Sequence, residues 1–413
     1  MRPRIPTLLV LYSLASLALV PAEEANWPQF RGNEQGIARN RELPKIWNKK
    51  TGIAWQKELA GFGQSSPVIW GDHVYLTSTG GDRKEHLFLE SFSVKSGERT
   101  WIRKFPASKT VKEVSKMISQ GAPTPVAGPE GIFTFFESGD LVAFDHDGKK
   151  LWHRKLQDEF GEFKGGHGVG SSLVGTPGKL FLLIDHDGPS YLLCLERKTG
   201  KTLWKANREP RMSWTTPLVF QNGGKGQILI SSNGVVEAYR IKDGERLWWV
   251  DGVRKNTVAS PASDGKVVVI GSSDPRQSMA VRMGGKGNVS ETHIAWRAAS
   301  ATSSFSSPII DRGIVYFVNR TGVLQAQSLE TGEQLWKKRL PASTWASPIS
   351  DGSHLYFFCK NGQSMVLDTS AKEPTVISEN TVPLTEDETL YGAGAGRSCF
   401  ILRSGRRIFK IGK

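Results

Sequence analysis

Cysteine is scarce in this chain, three in 413 residues. Cys194, Cys359 and Cys399 each sit in an apolar run: Leu192-Leu-Cys194-Leu, Tyr356-Phe-Phe-Cys359 and Cys399-Phe-Ile-Leu402. None belongs to a C-x-x-C or to a His/Cys group with zinc spacing, which excludes a structural zinc site and a dithiol redox motif. No two cysteines are adjacent. The odd count leaves at least one thiol unpaired, and a bridge between Cys359 and Cys399 stays open. Their surroundings are those of small hydrophobes buried in strands.

Long apolar runs are equally scarce. Leu8 to Val20 spans 13 residues, too short to cross a bilayer comfortably. It follows the basic Met1-Arg-Pro-Arg4 and precedes the small residues of Val20-Pro21-Ala22, the layout of a secretory signal. Residues 1–22 are therefore expected to be a signal peptide, with a mature chain starting near Glu23. No cysteine lies in or just after this segment, which excludes lipid attachment at a processed cysteine. No later stretch suits a membrane span. The expectation is an exported protein, periplasmic or secreted, and not a lipoprotein.

Catalytic signatures are missing too. No serine sits in a strand-to-helix elbow, and no carboxylate pair can be placed together. Lys164-Gly-Gly-His167-Gly-Val-Gly170 is glycine-rich, but no helix follows it to complete an anion cradle. Asp145-His-Asp-Gly148 and Asp185-His-Asp-Gly188 resemble metal-ligand runs, yet both fall where a hairpin turn is needed, and Asp is an ordinary turn residue. The reading is a protein without a metal site.

What the chain has is a repeat. A glycine is followed four residues later by tryptophan at Gly97/Trp101, Gly148/Trp152, Gly200/Trp204, Gly244/Trp248 and Gly332/Trp336. The steps between glycines are 51, 52, 44 and 88 residues, so the last step holds one eroded copy. A period near 45 residues means one supersecondary unit repeated. Within a unit, turn signals every 8–12 residues mark a four-stranded meander. Runs such as Lys179-Leu-Phe-Leu-Leu-Ile184 are apolar throughout, hence covered on both faces. Sheets stacked on sheets in a closed ring satisfy this for every copy.

A second signature opens each unit, small residues before proline: Ser65-Ser-Pro67, Ala122-Pro-Thr-Pro125, Thr215-Thr-Pro217, Ala259-Ser-Pro261, Ser306-Ser-Pro308 and Ala346-Ser-Pro348. The third copy has Ser171-Ser172-Leu173, and the eighth has Gly392-Ala-Gly-Ala-Gly396. Small side chains fit innermost strands crowded round an axis, and proline is tolerated where a partner is missing on one side. Counting these first strands gives eight units. The eighth lacks a Trp strand, while Gly52-Ile-Ala-Trp55 is a Trp strand without a unit. The fold expected is all-β, an eight-bladed β-propeller of four-stranded antiparallel blades, the last closed by the N-terminal strand. Residues 52–413 form the propeller and 23–51 a leader. Irregular stretches fall at Gly284–Asn288, at Ala371–Pro374, at Ala107–Gln120 with a helix-like run over 111–118, and at 156–170.

The unit with Thr-Gly-x-x-x-Trp, clearest in Lys198-Thr-Gly-Lys-Thr-Leu-Trp204 and Glu330-Thr-Gly-Glu-Gln-Leu-Trp336, resembles the pyrroloquinoline-quinone-like (PQQ-like) propeller repeat over about residues 50–413. Trp27-Pro-Gln-Phe-Arg-Gly32 looks like the leader of exported bacterial members. The resemblance is closest in kind to the non-enzymatic outer-membrane assembly factor B-like propellers. It implies an exported, non-catalytic scaffold that binds a protein or cell-envelope component, without a cofactor. Two alternatives remain. One is a PQQ-dependent or other small-ligand oxidoreductase, although the resemblance there implies an adjacent cysteine pair and calcium-binding carboxylates, and the pair is missing. The other is a polysaccharide-binding propeller, which the charge suggests: 54 Lys and Arg against 40 Asp and Glu give a formal +14, or +12 without Arg2 and Arg4. The basic residues are spread through turns and outer strands, so an anionic polymer is a candidate partner and nucleic acid is not expected. A monomer is expected. Any ligand should sit at the channel mouth, where Gln120, His167, Arg211, Trp214, Asn256 and Trp345 precede or open inner strands.

Overall fold

The computed structural model describes residues 26–33, 35–39, 41–110, 121–221, 226–371 and 373–413. The expected signal segment and the helix-like run over 111–118 lie outside them. Eight antiparallel sheets follow one another along the chain as the blades of a propeller. Blade one shows the pattern: Val68–Trp70 innermost, then His73–Gly80, His86–Ser93 and Arg99–Pro106 outward. Blade eight is built from Leu390–Ala395, Cys399–Ser404 and Arg407–Gly412, and its outer strand is Ile53–Glu58 from the other end of the chain. In that last pairing Trp55 lies opposite Lys410 and Glu58 opposite Arg407. The fully buried Arg403 of blade eight also donates to Ser65 O of blade one at 3.1 Å.

The core lies between blades rather than within one. Val68, Tyr75 and Leu89 of blade one meet Ala127, Ile132, Val142 and Phe144 of blade two. Each later junction repeats this, which explains the unbroken apolar runs: Lys179–Ile184 is buried from its second residue onward because sheets cover both its faces. The three thiols are buried and unbridged. Cys359 and Cys399 lie in blades seven and eight without a bond.

Four blade tryptophans dock on the next blade's motif glycine, whereas Gly148 meets Arg103. Trp55 faces Gly97, Trp152 faces Gly200, Trp204 faces Gly244 and Trp296 faces Gly332. A Cβ on Gly97 would stand 2.5 Å from the Trp55 ring, and Gly97 has φ +70°, so both space and backbone call for glycine. The indole N–H donates into the same turn: Trp55 to Val94 O at 3.0 Å, Trp152 to Arg197 O at 2.9 Å, Trp204 to Ile241 O at 3.0 Å. Trp248 departs from this. Blade five has no motif turn to receive it, and its indole N–H reaches Gln227 Oε1 in its own blade. The glycine-rich loop that replaces the turn adds a short fifth strand, Gly287–Asn288, parallel to the outer strand of blade four.

Blade seven carries no tryptophan, and the leader supplies one. Trp47 is 2% exposed and sits against Gly52, the turn glycine of blade eight, whose added Cβ would lie 2.7 Å from the Trp47 Cβ. Blade seven holds it there: Trp47 N donates to Asn380 Oδ1 at 2.8 Å, and Asn380 Nδ2 donates to Lys45 O at 3.0 Å. Its ring packs among residues of blades seven and eight, 6.1 Å from Phe400. Replacing Trp47 with alanine is expected to cost about 3–5 kcal/mol, as for a buried core tryptophan. Urea unfolding of Trp47→Ala measures this, and a loss below about 1 kcal/mol would contradict the role.

Candidate functional site

The axis is lined by the residue before each proline. Ser66 N donates to Thr124 Oγ1 at 2.9 Å, Thr124 N to Ser172 Oγ at 3.0 Å, and Ser172 N to Thr216 Oγ1 at 3.1 Å. Thr216 N continues to Ser260 Oγ at 2.9 Å, Ser260 N to Ser307 Oγ at 3.1 Å, and Ser307 N to Ser347 Oγ at 3.2 Å. Each blade thus hands its N–H to the next blade's hydroxyl. The relay stops at blade eight, where Gly392 faces Ser66.

The leader crosses one end of this channel. Trp27 pairs with Ile69, Pro28 O accepts from Ala127 N, and Gln29 Oε1 accepts from Gly175 N. Arg31 is buried and donates to Pro261 O at 3.0 Å and Pro308 O at 2.7 Å, carbonyls of two axial prolines. Burial disfavours its charge, and these carbonyl dipoles offset part of that cost. Gln35 exchanges two hydrogen bonds with Ser263, and Ala38 N donates to Ser350 O. The leader therefore reaches blades one, two, three, five, six and seven.

Above the leader lies a cavity of about 390 Å3 with Phe30 among its lining. Its lower wall carries the axial hydroxyls Ser66, Thr124, Ser172, Thr216, Ser260 and Ser347. Its upper wall carries the residue three before each proline or its equivalent: Gln64, Ala122, Gly170, Trp214, Val258, Phe305 and Trp345. Trp345 stacks on Phe305, centroids 4.5 Å apart and planes within 10°, and Tyr391 meets Trp345 edge-on at 5.4 Å. His167 is exposed and meets Trp214 edge-on at 6.0 Å. The Trp214 indole N–H donates to Gly168 O at 2.8 Å.

Of the residues expected at the mouth, the structure brings His167, Trp214 and Trp345 to the cavity. Arg211 stands off it, its Nε donating to Glu209 O. Asn256 is fully buried, its amide donated to Ser231 Oγ at 3.0 Å and Val235 O at 3.2 Å, so it braces blade four instead of facing the lumen. Gln120 lies outside the described residues. Phe30, Phe305, Arg320, Tyr391 and the hydroxyl ring were not foreseen. The position three before proline carries the aromatic signal, in Trp214-Thr-Thr-Pro, Phe305-Ser-Ser-Pro and Trp345-Ala-Ser-Pro.

The two Asp-His-Asp-Gly runs differ. Asp145 caps its turn, accepting from Asp147 N and Lys149 N. Asp185 also lies in a hairpin connection, between Lys179–Ile184 and Ser190–Glu196, but its carboxylate is buried between blades three and four and paired with Arg208 at 3.0 Å. Arg208 also pairs with Glu237, which Arg246 meets at 2.9 Å. Burial alone would lower the Arg208 pKa, but Asp185 and Glu237 outweigh it and raise it. Among the described residues no group of three His, Cys, Asp or Glu is placed to hold a metal ion. Among the described residues, the lining of the mouth includes no carboxylate and no cysteine.

One carboxylate braces the rim. Glu388, two residues before the first strand of blade eight, accepts from Arg407 Nε at 2.9 Å, Ser404 Oγ at 2.9 Å and Thr385 N at 3.0 Å. The Arg407 hydrogen bond is the main reason its pKa falls to about 2.

An eight-bladed propeller with an axial Ser/Thr-Pro ring and Gly-to-Trp blade joints is a PQQ-like repeat propeller. The chain belongs to the family described as outer membrane protein assembly factor BamB, whose family model matches residues 38–177 and 137–375. A curated relative of that description in Alkalilimnicola ehrlichii is 29% identical over 215 residues, 52% of this chain and 50% of the relative. The chain thus matches about half the length of that relative. Among solved structures, BamB from Moraxella catarrhalis superposes with a TM-score of 0.59 at 14% identity, covering 87% of this chain and 99% of that one. A europium-containing methanol dehydrogenase gives 0.62 at 9% identity, covering 92% and 89%. The designed protein Ika8 gives 0.60 at 12% identity, covering 86% and 98%. Likenesses at such identities show the fold alone.

The Glu388 pair carries a pH signature. A carboxylate with a depressed folded pKa adds stability above its unfolded value of about 4.3, and that stability is lost as pH falls toward 2. Glu388→Gln is expected to be less stable than the parent at pH 7, with the gap closing below pH 3. Thermal unfolding from pH 2 to 7 checks this; a gap independent of pH would contradict it.

Proposed function

We propose that this protein is an exported, non-catalytic propeller that docks an envelope protein during outer-membrane protein assembly. The family match over residues 38–177 and 137–375 carries the reading. The fold supports it in a physical sense. Hydroxyl relay, indole docking and leader together brace the ring, and the loops that enter the inner strands gather on the mouth side. A braced ring that presents many loops on one side suits recognition of another chain more than turnover of a substrate. Export would follow from residues 1–22, with cleavage before Glu23.

Deleting the gene in the source organism tests the reading. Folded outer-membrane β-barrel proteins, read by heat-modifiable gel mobility, are expected to fall and to recover when the full chain is restored. Unchanged barrel levels together with unchanged outer-membrane permeability would overturn it.

A further inference from the structure

The axial ring leaves hydrogen-bond donors unused. Thr124, Ser172, Thr216, Ser260 and Ser347 each accept a backbone N–H from the neighbouring blade. A hydroxyl that accepts still owns one donor hydrogen. No described residue accepts from any of these five, and all five line the cavity at the mouth. Their hydrogens are therefore available to the lumen.

A carboxyl, Glu137, packs against Gly168 beside the mouth, and burial raises its pKa to about 8, which favours its neutral form. Among the described residues the lining holds no Asp or Glu, and it holds Arg320, which makes no ion pair with them. Lys360 stands beside it, its Nζ 4.8 Å from the Phe305 ring centre and 4.9 Å from that of Trp345. Burial, and the like charge of Arg320, lower the Lys360 pKa. Two cations are thus held near each other with no anion between them, above a wall of stacked aromatic rings. Like charges so arranged repel, and a bound anion would relieve the repulsion.

We infer that the channel mouth is a binding site for a carboxylate carried on a flat apolar body. The Arg320 guanidinium takes the carboxylate in its fork, and Lys360 adds a second cation. Axial hydroxyls donate to further ligand oxygens. The faces of Trp345, Phe305 and Trp214 take the apolar body. A cavity of about 390 Å3 suits a ligand at the small end of the usual range. The same chemistry has two sources, a free aromatic acid or the C-terminal end of a polypeptide. The site goes beyond the scaffold reading, since it concerns a small anionic group whichever partner protein docks.

Isothermal titration with the purified chain tests it. The probes are N-acetyl-glycyl-phenylalanine as the free acid, the same dipeptide as its C-terminal amide, and 3-phenylpropionate. The free acid is expected to bind at least about tenfold more tightly than the amide, the worth of a hydrogen bond to a charged group. Arg320→Ala should abolish that preference without changing the melting temperature, because Arg320 is exposed and has no ion pair to lose. Tighter binding of the dipeptide acid than of 3-phenylpropionate supports a chain end as the source, and equal binding supports a free acid. Equal affinity for acid and amide would overturn the inference. So would the absence of heat from every probe at concentrations on the order of 10 mM. Neither result bears on barrel assembly in the deletion strain, so the two readings fail separately.

Discussion

The structure depends on one hydrogen bond repeated around the axis, from the N–H of one inner strand to the Ser or Thr hydroxyl of the next. The innermost edge of a sheet normally leaves unpaired N–H groups. Here the residue before the proline gives its N–H to the neighbouring blade in blades one, two, four, five and six, and the proline has none to give. Side chain and sequence context thus satisfy an edge that no strand could pair. The bond also fixes the spacing of the inner strands and leaves the proline carbonyls free. Arg31 collects two of those carbonyls, which is how the leader is anchored in the channel.

The rim is held by different chemistry. Four indoles, those of Trp55, Trp152, Trp204 and Trp296, fill the space that the next blade's glycine leaves open and donate a hydrogen bond into the same turn. Where a blade breaks the pattern, another part of the chain responds. Trp248 turns to Gln227, and the loop that lost the turn becomes an extra strand on blade four. Blade seven has no tryptophan, so Trp47 comes from the leader. Blade eight has no axial hydroxyl, and its glycines admit Ser66 and the Trp27 ring instead. The junction of blades seven, eight and one, where the chain ends meet, is thereby the one most covered by the leader.

Blade number and ring closure through Ile53–Glu58 were legible in the sequence, because a repeated local rule leaves a periodic trace. The small-Pro signature was visible too, but crowding is only part of its cause: Ser and Thr are there to accept an N–H from across a blade junction, a contact roughly 45 residues away that one unit cannot reveal. Trp47 and Arg31 act once each, so no period betrays them. Asn256 and Arg211 were placed at the mouth by sequence position alone, and their side chains turn away, Asn256 to Ser231 Oγ and Val235 O and Arg211 to Glu209 O. Asp185 lies in a turn as its sequence suggests, and only the fold shows its carboxylate buried against Arg208.

The most direct measurement of the axial ring is the stability of Thr216→Val against Thr216→Ser. Thr216 Oγ1 accepts Ser172 N at 3.1 Å. Valine keeps the shape and removes the acceptor, leaving a buried N–H without a partner, at a cost of about 1–3 kcal/mol. Serine keeps the acceptor and should lose less. Denaturant unfolding of the two variants is predicted to rank parent, serine, valine, with valine clearly last. Valine as stable as the parent, or serine as damaging as valine, would contradict the claim that this hydroxyl relay holds the propeller together.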